Sequence, residues 1–251
     1  MMTDSRRSST ILPALLLVCV AAACGSASGT SERNAMDETR VVFVDDFDGG
    51  FETMAGVTAT WSGAVSLVDV QGYRRVGFSK RMLHNDSRGD PAEATVLTLR
   101  GLPEHDAVSI DLHLAIIESW DGSCGPLRTK AGGAPDSDHC PDYFEVSVDG
   151  EPVFDETFFF LSATAQSHVE TSETLLSRFV ELGFGPERDL AYRFGEDGPL
   201  WRIPHRGDSI TISFRARGAG WQGGRDESWG IDNVRVLIHC RCNGDEGGSE
   251  Q

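Results

Sequence analysis

The sequence has almost no lysine, little helical periodicity and no apolar run long enough to cross a bilayer. Lys80 and Lys130 are the only lysines, and the chain carries a formal net charge of −17. Because a surface this negative repels phosphate backbones and anionic lipid, we expect no nucleic-acid partner. The same charge suits hard cations such as Ca²⁺, which bind carboxylate oxygens.

The first residues have the order of a secretory signal. Arg6 and Arg7 supply positive charge, residues 11–23 are apolar and end in small side chains, and Cys24 follows directly. A cysteine at this place resembles the bacterial lipobox, in which the thiol is lipidated and becomes the new N-terminus. We therefore predict an exported lipoprotein, held at the bacterial membrane or cell surface only by the lipid on Cys24. The alternative is an ordinary signal peptide that is cut nearby.

Beyond Cys24, the predicted exported part has four cysteines: Cys124, Cys140, Cys240 and Cys242. An even number in an oxidising compartment predicts disulfides. Cys124 and Cys140 could close the loop between them, whereas a bond between Cys240 and Cys242 would need strained geometry. Pairing across the two groups is one alternative. A zinc site that uses His239 with Cys240 and Cys242 is another.

Several short runs alternate apolar and polar residues with period two, which is typical of half-buried strands. The clearest runs are residues 42–44, 96–99, 110–116, 144–148, 153–160, 210–214 and 234–238. Asp149-Gly150 separates two of them and predicts a hairpin turn. Only residues 172–185 have a helical rhythm. The pattern predicts an all-β fold, a two-sheet antiparallel sandwich with at most one short helix.

The composition divides the chain into four segments. We predict a signal peptide at residues 1–23 and a flexible Gly/Ser-rich tether at 24–40. One sandwich domain is expected at 41–242, and the Gly/Glu-rich residues 243–251 predict a disordered tail.

Acidic residues cluster at the edges of the apolar runs, where distant segments can converge. The candidate metal ligands are Asp46, Asp48, Asp121, Asp142, Asp226 and Asp232. Ca²⁺ takes six to eight oxygens, which aspartates and tight turns can supply together. Asp232 is the residue most readily assigned to a metal, with Asp226 and Glu227 as additional ligands. The alternative is a solvated acidic rim with no ion.

Two further residue sets suggest other functions. Glu118 and Glu145 could form the carboxylate pair that glycoside hydrolysis needs, although nothing in the sequence fixes their separation. The tryptophans could stack on sugars or fill the core. Trp120 and Trp229 share a Glu-Ser-Trp context, which favours structural packing of the two together. Trp221 and Gln222 lie in a Gly-rich segment, where we expect exposure and contact with a ligand.

Three segments carry a resemblance: "GLPEHDAVSIDLHLAIIESWDG", "PDYFEVSVDGEPVFDETF" and "GWQGGRDESWGIDNVRV". They resemble secreted bacterial jelly-roll domains of the concanavalin-like or galactose-binding-like type, which end in a strand such as "DESWGIDNV". The resemblance implies an extracellular jelly roll that acts as an accessory or adhesion module without catalysis. It also implies a structural Ca²⁺ shared by Asp46 or Asp48 with Asp232. The cysteines of this chain depart from that pattern.

These observations predict a membrane-anchored, extracytoplasmic, non-catalytic binding module. We expect it to be monomeric, stabilised by Ca²⁺ and able to bind carbohydrate. One alternative is a glycan-cleaving hydrolase, and the other is a purely structural or protein-binding lipoprotein of the envelope.

Overall fold

The computed structural model describes residues 37–123 and 140–241. Over these residues the chain forms fourteen strands: β1 (Asp37–Asp45), β2 (Glu52–Thr53), β3 (Thr58–Gly63), β4 (Ser66–Asp69), β5 (Arg81–Asn85), β6 (Thr95–Arg100), β7 (Ala107–Glu118), β8 (Tyr143–Val148), β9 (Glu151–Thr157), β10 (Leu175–Val180), β11 (Asp189–Phe194), β12 (Ile203–Pro204), β13 (Ser209–Arg217) and β14 (Glu227–Arg241). The helices of this part are two short 3-10 turns, Gln71–Val76 and Ala163–Ala165. Neither has the length and apolar character that a bilayer crossing requires.

The strands form two antiparallel sheets. The larger sheet has the order β10-β11-β7-β14-β1-β2, with β12 beside β7, and with β5 on β14 and β4 on β5. The smaller sheet has the order β3-β6-β13-β8-β9. Because β6, β7 and β8 alternate between the sheets, as do β13 and β14, the chain crosses the sandwich repeatedly in the manner of a jelly roll. The predicted all-β, two-sheet fold is confirmed.

The core lies between the sheets, where alternate side chains of each strand point inward. In β13 every second residue is buried, and in β6 buried and half-buried residues alternate in the same way. This is the period of two that a strand buried on one face requires. Large rings fill the centre, among them Phe144, Phe214 and Trp229, none of which is exposed.

A second, smaller apolar cluster covers the outer face of the larger sheet. Tyr73, Phe78 and Met82 pack there against Ala115 and Ile117 of β7. As a result, β7 is buried on both faces from Leu114 onward and loses the alternation it has earlier. The sequence "LAII" of residues 114–117 is apolar throughout for this reason.

The helical rhythm of residues 172–185 does not produce a helix. Residues Leu175–Val180 form β10, which pairs antiparallel with β11 at the edge of the larger sheet. Five of its six residues are half-buried, so the strand has no sharply apolar face and its sequence lacks clear alternation. Pairing with β11 therefore outweighs the local helical rhythm.

The ends of the domain differ in part from the expectations. β1 begins at Asp37, inside the predicted tether, because Glu38 and Thr39 pair with Cys240 and His239 of β14. Residues 1–23, Cys24, Cys124, Cys242 and the tail lie outside the described residues. The predictions made for them, including the disulfide between Cys124 and Cys140, stay predictions.

Of two expectations at the end of β14, one stays a prediction and one is wrong. The Sγ of Cys240 donates to the carbonyl oxygen of Glu104 at 3.2 Å, and the pairing predicted for this cysteine stays a prediction. The zinc alternative fails at His239, because both ring nitrogens are engaged by hydroxyls. Nδ1 lies 3.0 Å from Thr39 Oγ1 and Nε2 lies 2.7 Å from Ser109 Oγ.

Candidate metal centre

Three buried carboxylates meet where β7 ends and β8 and β14 begin. Asp121, Asp142 and Glu227 are 3%, 0% and 1% exposed. One carboxylate oxygen of each lies within 4.8 Å of those of the other two. Among residues 37–123 and 140–241, this is the one group of three or more such side chains that converges in this way.

Backbone hydrogen bonds fix the two aspartates against each other. The N–H of Asp121 donates to Oδ2 of Asp142, and the N–H of Asp142 donates to the carbonyl oxygen of Asp121 at 3.1 Å. Gly122, which follows Asp121, packs so closely that a Cβ on it would lie 2.1 Å from the carbonyl oxygen of Ala165. Only glycine therefore fits at position 122, directly after Asp121 in the sequence Trp-Asp-Gly.

Glu227 enters the group from the first residue of β14. Its backbone pairs with Glu118 at the end of β7. Its Oε2 accepts a hydrogen bond from the N–H of Gln222 at 3.0 Å, whereas its Oε1 is buried without a hydrogen-bond partner. Burying a carboxylate oxygen without a hydrogen bond destabilises the folded protein unless a bound ion or proton compensates it.

Tryptophans enclose this end of the sandwich. Trp120 precedes Asp121 and donates its Nε1–H to the carbonyl oxygen of Ser228 at 2.8 Å. The Trp221 ring packs against that of Trp120, with the ring centroids 5.1 Å apart. Since Asp121 follows Trp120 and Gln222 follows Trp221, the aromatic packing positions both flanking segments and excludes water from this region.

The exposure predicted for Trp221 is wrong. This side chain is 6% exposed and donates its Nε1–H to the carbonyl oxygen of Ser87 at 2.9 Å. Gln222 is exposed as predicted, and its backbone N–H contacts Glu227. Trp120 and Trp229 are both core residues, but Trp229 stacks edge-on against Phe144 and not against Trp120.

The electrostatics of the group favour a bound cation or a bound proton. Burial, with the nearby charges of Asp121 and Asp226, raises the pKa of Glu227 to about 8. A neighbouring negative charge and a low dielectric both disfavour the ionised form. Among the described residues the converging group consists of three carboxylates, an oxygen-only set that suits hard cations better than zinc.

The other predicted metal ligands lie outside this group. The carboxylates of Asp232 and Asp48 accept hydrogen bonds from backbone N–H groups. Asp232 is fully buried at a bulge of β14, where Oδ2 accepts from the N–H of Ser79 and Oδ1 from that of Asn233. Burial raises its pKa to about 6. Asp48 Oδ1 accepts from the N–H groups of Lys80 and Arg81, each at 3.0 Å.

Asp46 and Asp226 are exposed. Asp46 accepts a hydrogen bond from the N–H of Asp48 at 3.0 Å. At Asp226 the backbone carbonyl, not the carboxylate, accepts from the Ser119 hydroxyl at 3.0 Å. Two of the six predicted ligands, Asp121 and Asp142, therefore belong to the converging group, and Glu227 is its third member.

The alternative in which Glu118 and Glu145 act as a catalytic pair fails at Glu145. Glu145 is buried in β8 under two arginines, with its Oε1 2.6 Å from Arg215 and its Oε2 3.1 Å from Arg217. Its carboxylate is thus buried and engaged by both arginines, and it is not open to a sugar ring. The two arginines extend from the neighbouring strand β13, so the cluster stabilises the smaller sheet.

We expect Glu145→Gln to lower the free energy of unfolding by about 1.5–3 kcal/mol, the usual contribution of hydrogen bonds to a charged group. Urea unfolding of the variant beside Glu151→Gln, an exposed change in the neighbouring strand, measures this. A variant as stable as the wild type would show that the arginine cluster is not structural.

No family model matches the chain, and no curated protein matches its sequence significantly. A solved structure of similar shape comprises the CBM22-1 and GH10 modules of endo-1,4-beta-D-xylanase 10B from Clostridium thermocellum, complexed with xylohexaose. The similarity has a TM-score of 0.33 at 12% sequence identity. It covers 84% of this chain but 30% of that one, so this chain spans less than a third of its length. A similarity this distant assigns neither a ligand nor an activity to this chain.

Proposed function

We propose that this chain is a non-catalytic, extracytoplasmic binding module whose fold is completed by one Ca²⁺ ion at Asp121, Asp142 and Glu227. The observation that carries the proposal is the convergence of these three buried carboxylates, with Oε1 of Glu227 lacking a hydrogen-bond partner. Burying ionised carboxylates together is strongly unfavourable unless a cation compensates them.

The ligand chemistry favours Ca²⁺ over other metals. The three side chains offer oxygen alone, which suits Ca²⁺ and Mg²⁺ rather than zinc or copper. Mg²⁺ keeps several waters and is held by one or two carboxylates, whereas Ca²⁺ accepts many protein oxygens in irregular geometry. A buried set of three carboxylates therefore fits Ca²⁺ better.

The ion would join the two sheets. Glu227 is the first residue of β14 and Asp121 closely follows β7, both strands of the larger sheet, whereas Asp142 directly precedes β8 of the smaller sheet. An ion bound by all three would tie together strands from opposite layers of the sandwich. We infer a structural role from this placement, because all three carboxylates are buried.

A protein-binding or structural role in the envelope is the second candidate. None of the five tryptophans is exposed, so the described surface offers no tryptophan on which a sugar ring could stack. A glycan array with the folded domain tests the carbohydrate alternative. Retention of a single glycan class would favour it, and an empty array would favour the protein-binding role. Export and lipid anchoring at Cys24 remain part of this proposal.

Calorimetric unfolding in Ca²⁺ and in EGTA tests the metal. With Ca²⁺ at 100 to 1,000 times its Kd, the ion should add about 2.7–4.1 kcal/mol of stability. For a domain of this size that corresponds to an increase of roughly 5–15 °C in Tm. An unchanged midpoint would remove the metal from the account.

A further inference from the structure

A pocket of about 470 Å³ lies against the outer face of the larger sheet. None of its lining residues belongs to the proposed Ca²⁺ site. Its wall includes Glu118 at the end of β7, His84 of β5, and Phe184 and Gly185 from the segment before β11. These residues place one carboxylate beside two aromatic rings.

Glu118 presents an unsatisfied carboxylate oxygen in this pocket. The residue is 5% exposed, and Oε2 accepts a long hydrogen bond of 3.4 Å from the N–H of Glu187. Its Oε1 is buried without a hydrogen-bond partner. A Cβ at Gly185 would lie 2.1 Å from this Oε1, so the carboxylate fits only because residue 185 is glycine. Glu118 also has a φ of 68°, a strained backbone conformation of the kind that accumulates at functional sites.

Two stacked rings form the aromatic part of the wall. The His84 and Phe184 rings are nearly parallel, with an interplanar angle of 18° and centroids 5.6 Å apart. Nε2 of His84 is buried without a hydrogen-bond partner. Burial lowers the pKa of His84, so the ring is neutral near pH 7 and adds no positive charge to the pocket.

The electrostatic surroundings are negative. Burial raises the pKa of Glu118, and the charges of Asp189, Glu187 and Asp226 raise it further. Asp86 also lines the pocket. The exposed Arg225 lies at the wall, but in the described ranges no arginine forms an ion pair with Glu118. A cation that entered the pocket would therefore meet a carboxylate that no protein charge has neutralised.

We propose that this pocket binds an organic cation, an alkylammonium or guanidinium group, whose N–H groups donate to Oε1 of Glu118 while its carbon chain packs on Phe184. A carboxylate beside an aromatic face is the usual surrounding of such cations. A metal ion is a poorer occupant. The carboxylate oxygens of Asp121, Asp142 and Glu227 converge, whereas the polar side-chain atoms of this wall do not. The proposal names a ligand for the binding module proposed above and rests on that function.

Calorimetric titration of the folded, Ca²⁺-loaded protein tests the pocket. The probes are butylamine, Nα-acetyl-lysine methylamide and Nα-acetyl-arginine methylamide, with Nα-acetyl-norleucine methylamide and methyl glucoside as neutral controls. We expect the cations to bind and the neutral probes not to bind. Binding of butylamine as tight as that of the capped amino acids would assign free amines. Binding of the capped amino acids alone would assign a basic side chain of a partner protein.

Variants link the binding to Glu118. We expect Glu118→Gln to weaken cation binding by about 10- to 100-fold, the range for losing one charge-assisted hydrogen bond. Gly185→Ala, which displaces the same carboxylate, should act in the same direction, and the exposed change Glu151→Gln in β9 of the smaller sheet should have little effect. Asp142→Asn should keep cation binding, so that failure of the metal proposal is distinguishable from failure of this one. Equal binding of neutral probes, no binding, or full affinity in Glu118→Gln would overturn the proposal.

Discussion

Replacing Glu227 with glutamine should stabilise the protein in EGTA and abolish its response to Ca²⁺. In the metal-free wild type, folding forces this carboxyl to bind a proton, because burial and neighbouring charge raise its pKa to about 8. At pH 7 that protonation costs up to about 3 kcal/mol relative to the ionised group in the unfolded chain. Glutamine has the same shape, can still accept from the N–H of Gln222, and carries no charge to neutralise.

In Ca²⁺ the wild type should instead be more stable than Glu227→Gln. The wild type gains the binding energy of the ion, about 2.7–4.1 kcal/mol at the saturations considered above, whereas Glu227→Gln lacks one of the three ionised ligands. Thermal or urea unfolding of the wild type and of Glu227→Gln, each in EGTA and in Ca²⁺, gives the four stabilities to be compared. Glu151→Gln is the control, because Glu151 is exposed in β9 of the smaller sheet, and the change should leave the stability in EGTA and in Ca²⁺ nearly unchanged.

A different outcome would contradict the metal site. If Glu227→Gln were less stable than the wild type in EGTA, the carboxylate would be a satisfied structural group. If the variant kept the full response to Ca²⁺, the ion would bind elsewhere.

The stability of the metal-free protein should fall as the pH rises from about 4.5 to about 8. A carboxyl whose pKa is higher in the folded state binds more protons folded than unfolded in that window, so the free energy of unfolding decreases with pH. For Glu227 alone the slope is about 1.4 kcal/mol per pH unit. Asp189 and Asp232, whose pKa burial raises to about 6, steepen the lower part of the window.

Ca²⁺ should flatten this profile above pH 6. The ion binds the ionised carboxylates, so its affinity increases as the proton on Glu227 is released. Urea unfolding in EGTA and in Ca²⁺ at half-unit steps from pH 4.5 to 8.5 measures both curves. A metal-free curve that is level or rises with pH would show that the three carboxylates do not compete for a proton.

Sequence patterns identified seven of the fourteen strands, because the alternation of a strand buried on one face is a local property. β6, β8 and β13 were all evident from their own residues. The pattern failed at Leu175–Val180, where half-burial blurs the two faces and only pairing with β11 defines the strand. It also gave no sign of the second apolar cluster over β7, which depends on segments distant in the chain.

The candidate site was predictable in part for the same reason. Asp121 and Asp142 could be recognised as acidic residues at strand ends, and Glu227 as an additional ligand. Which strand ends meet depends on how the chain crosses between the sheets, and no local pattern contains that information. Asp232 received the most weight, yet its carboxylate accepts from the N–H groups of Ser79 and Asn233 at a bulge.

Trp221 shows how a local composition misleads. Glycines around a tryptophan predict an exposed loop, and a Gly-rich segment does surround it. That segment instead folds over the end of the sandwich, where the ring packs on Trp120. The contact partner lies about a hundred residues away in sequence, so its effect on exposure could not be inferred from the neighbours of Trp221.

Calorimetric titration of Ca²⁺ at pH 8 into three proteins tests the central claim most directly. The wild type should bind one ion, Asp142→Asn should bind none, and Asp232→Asn, which alters the carboxylate at the bulge, should still bind one. Binding that survives in Asp142→Asn but is lost in Asp232→Asn, or no binding to the wild type, would contradict the assignment of Asp121, Asp142 and Glu227 as a Ca²⁺ site.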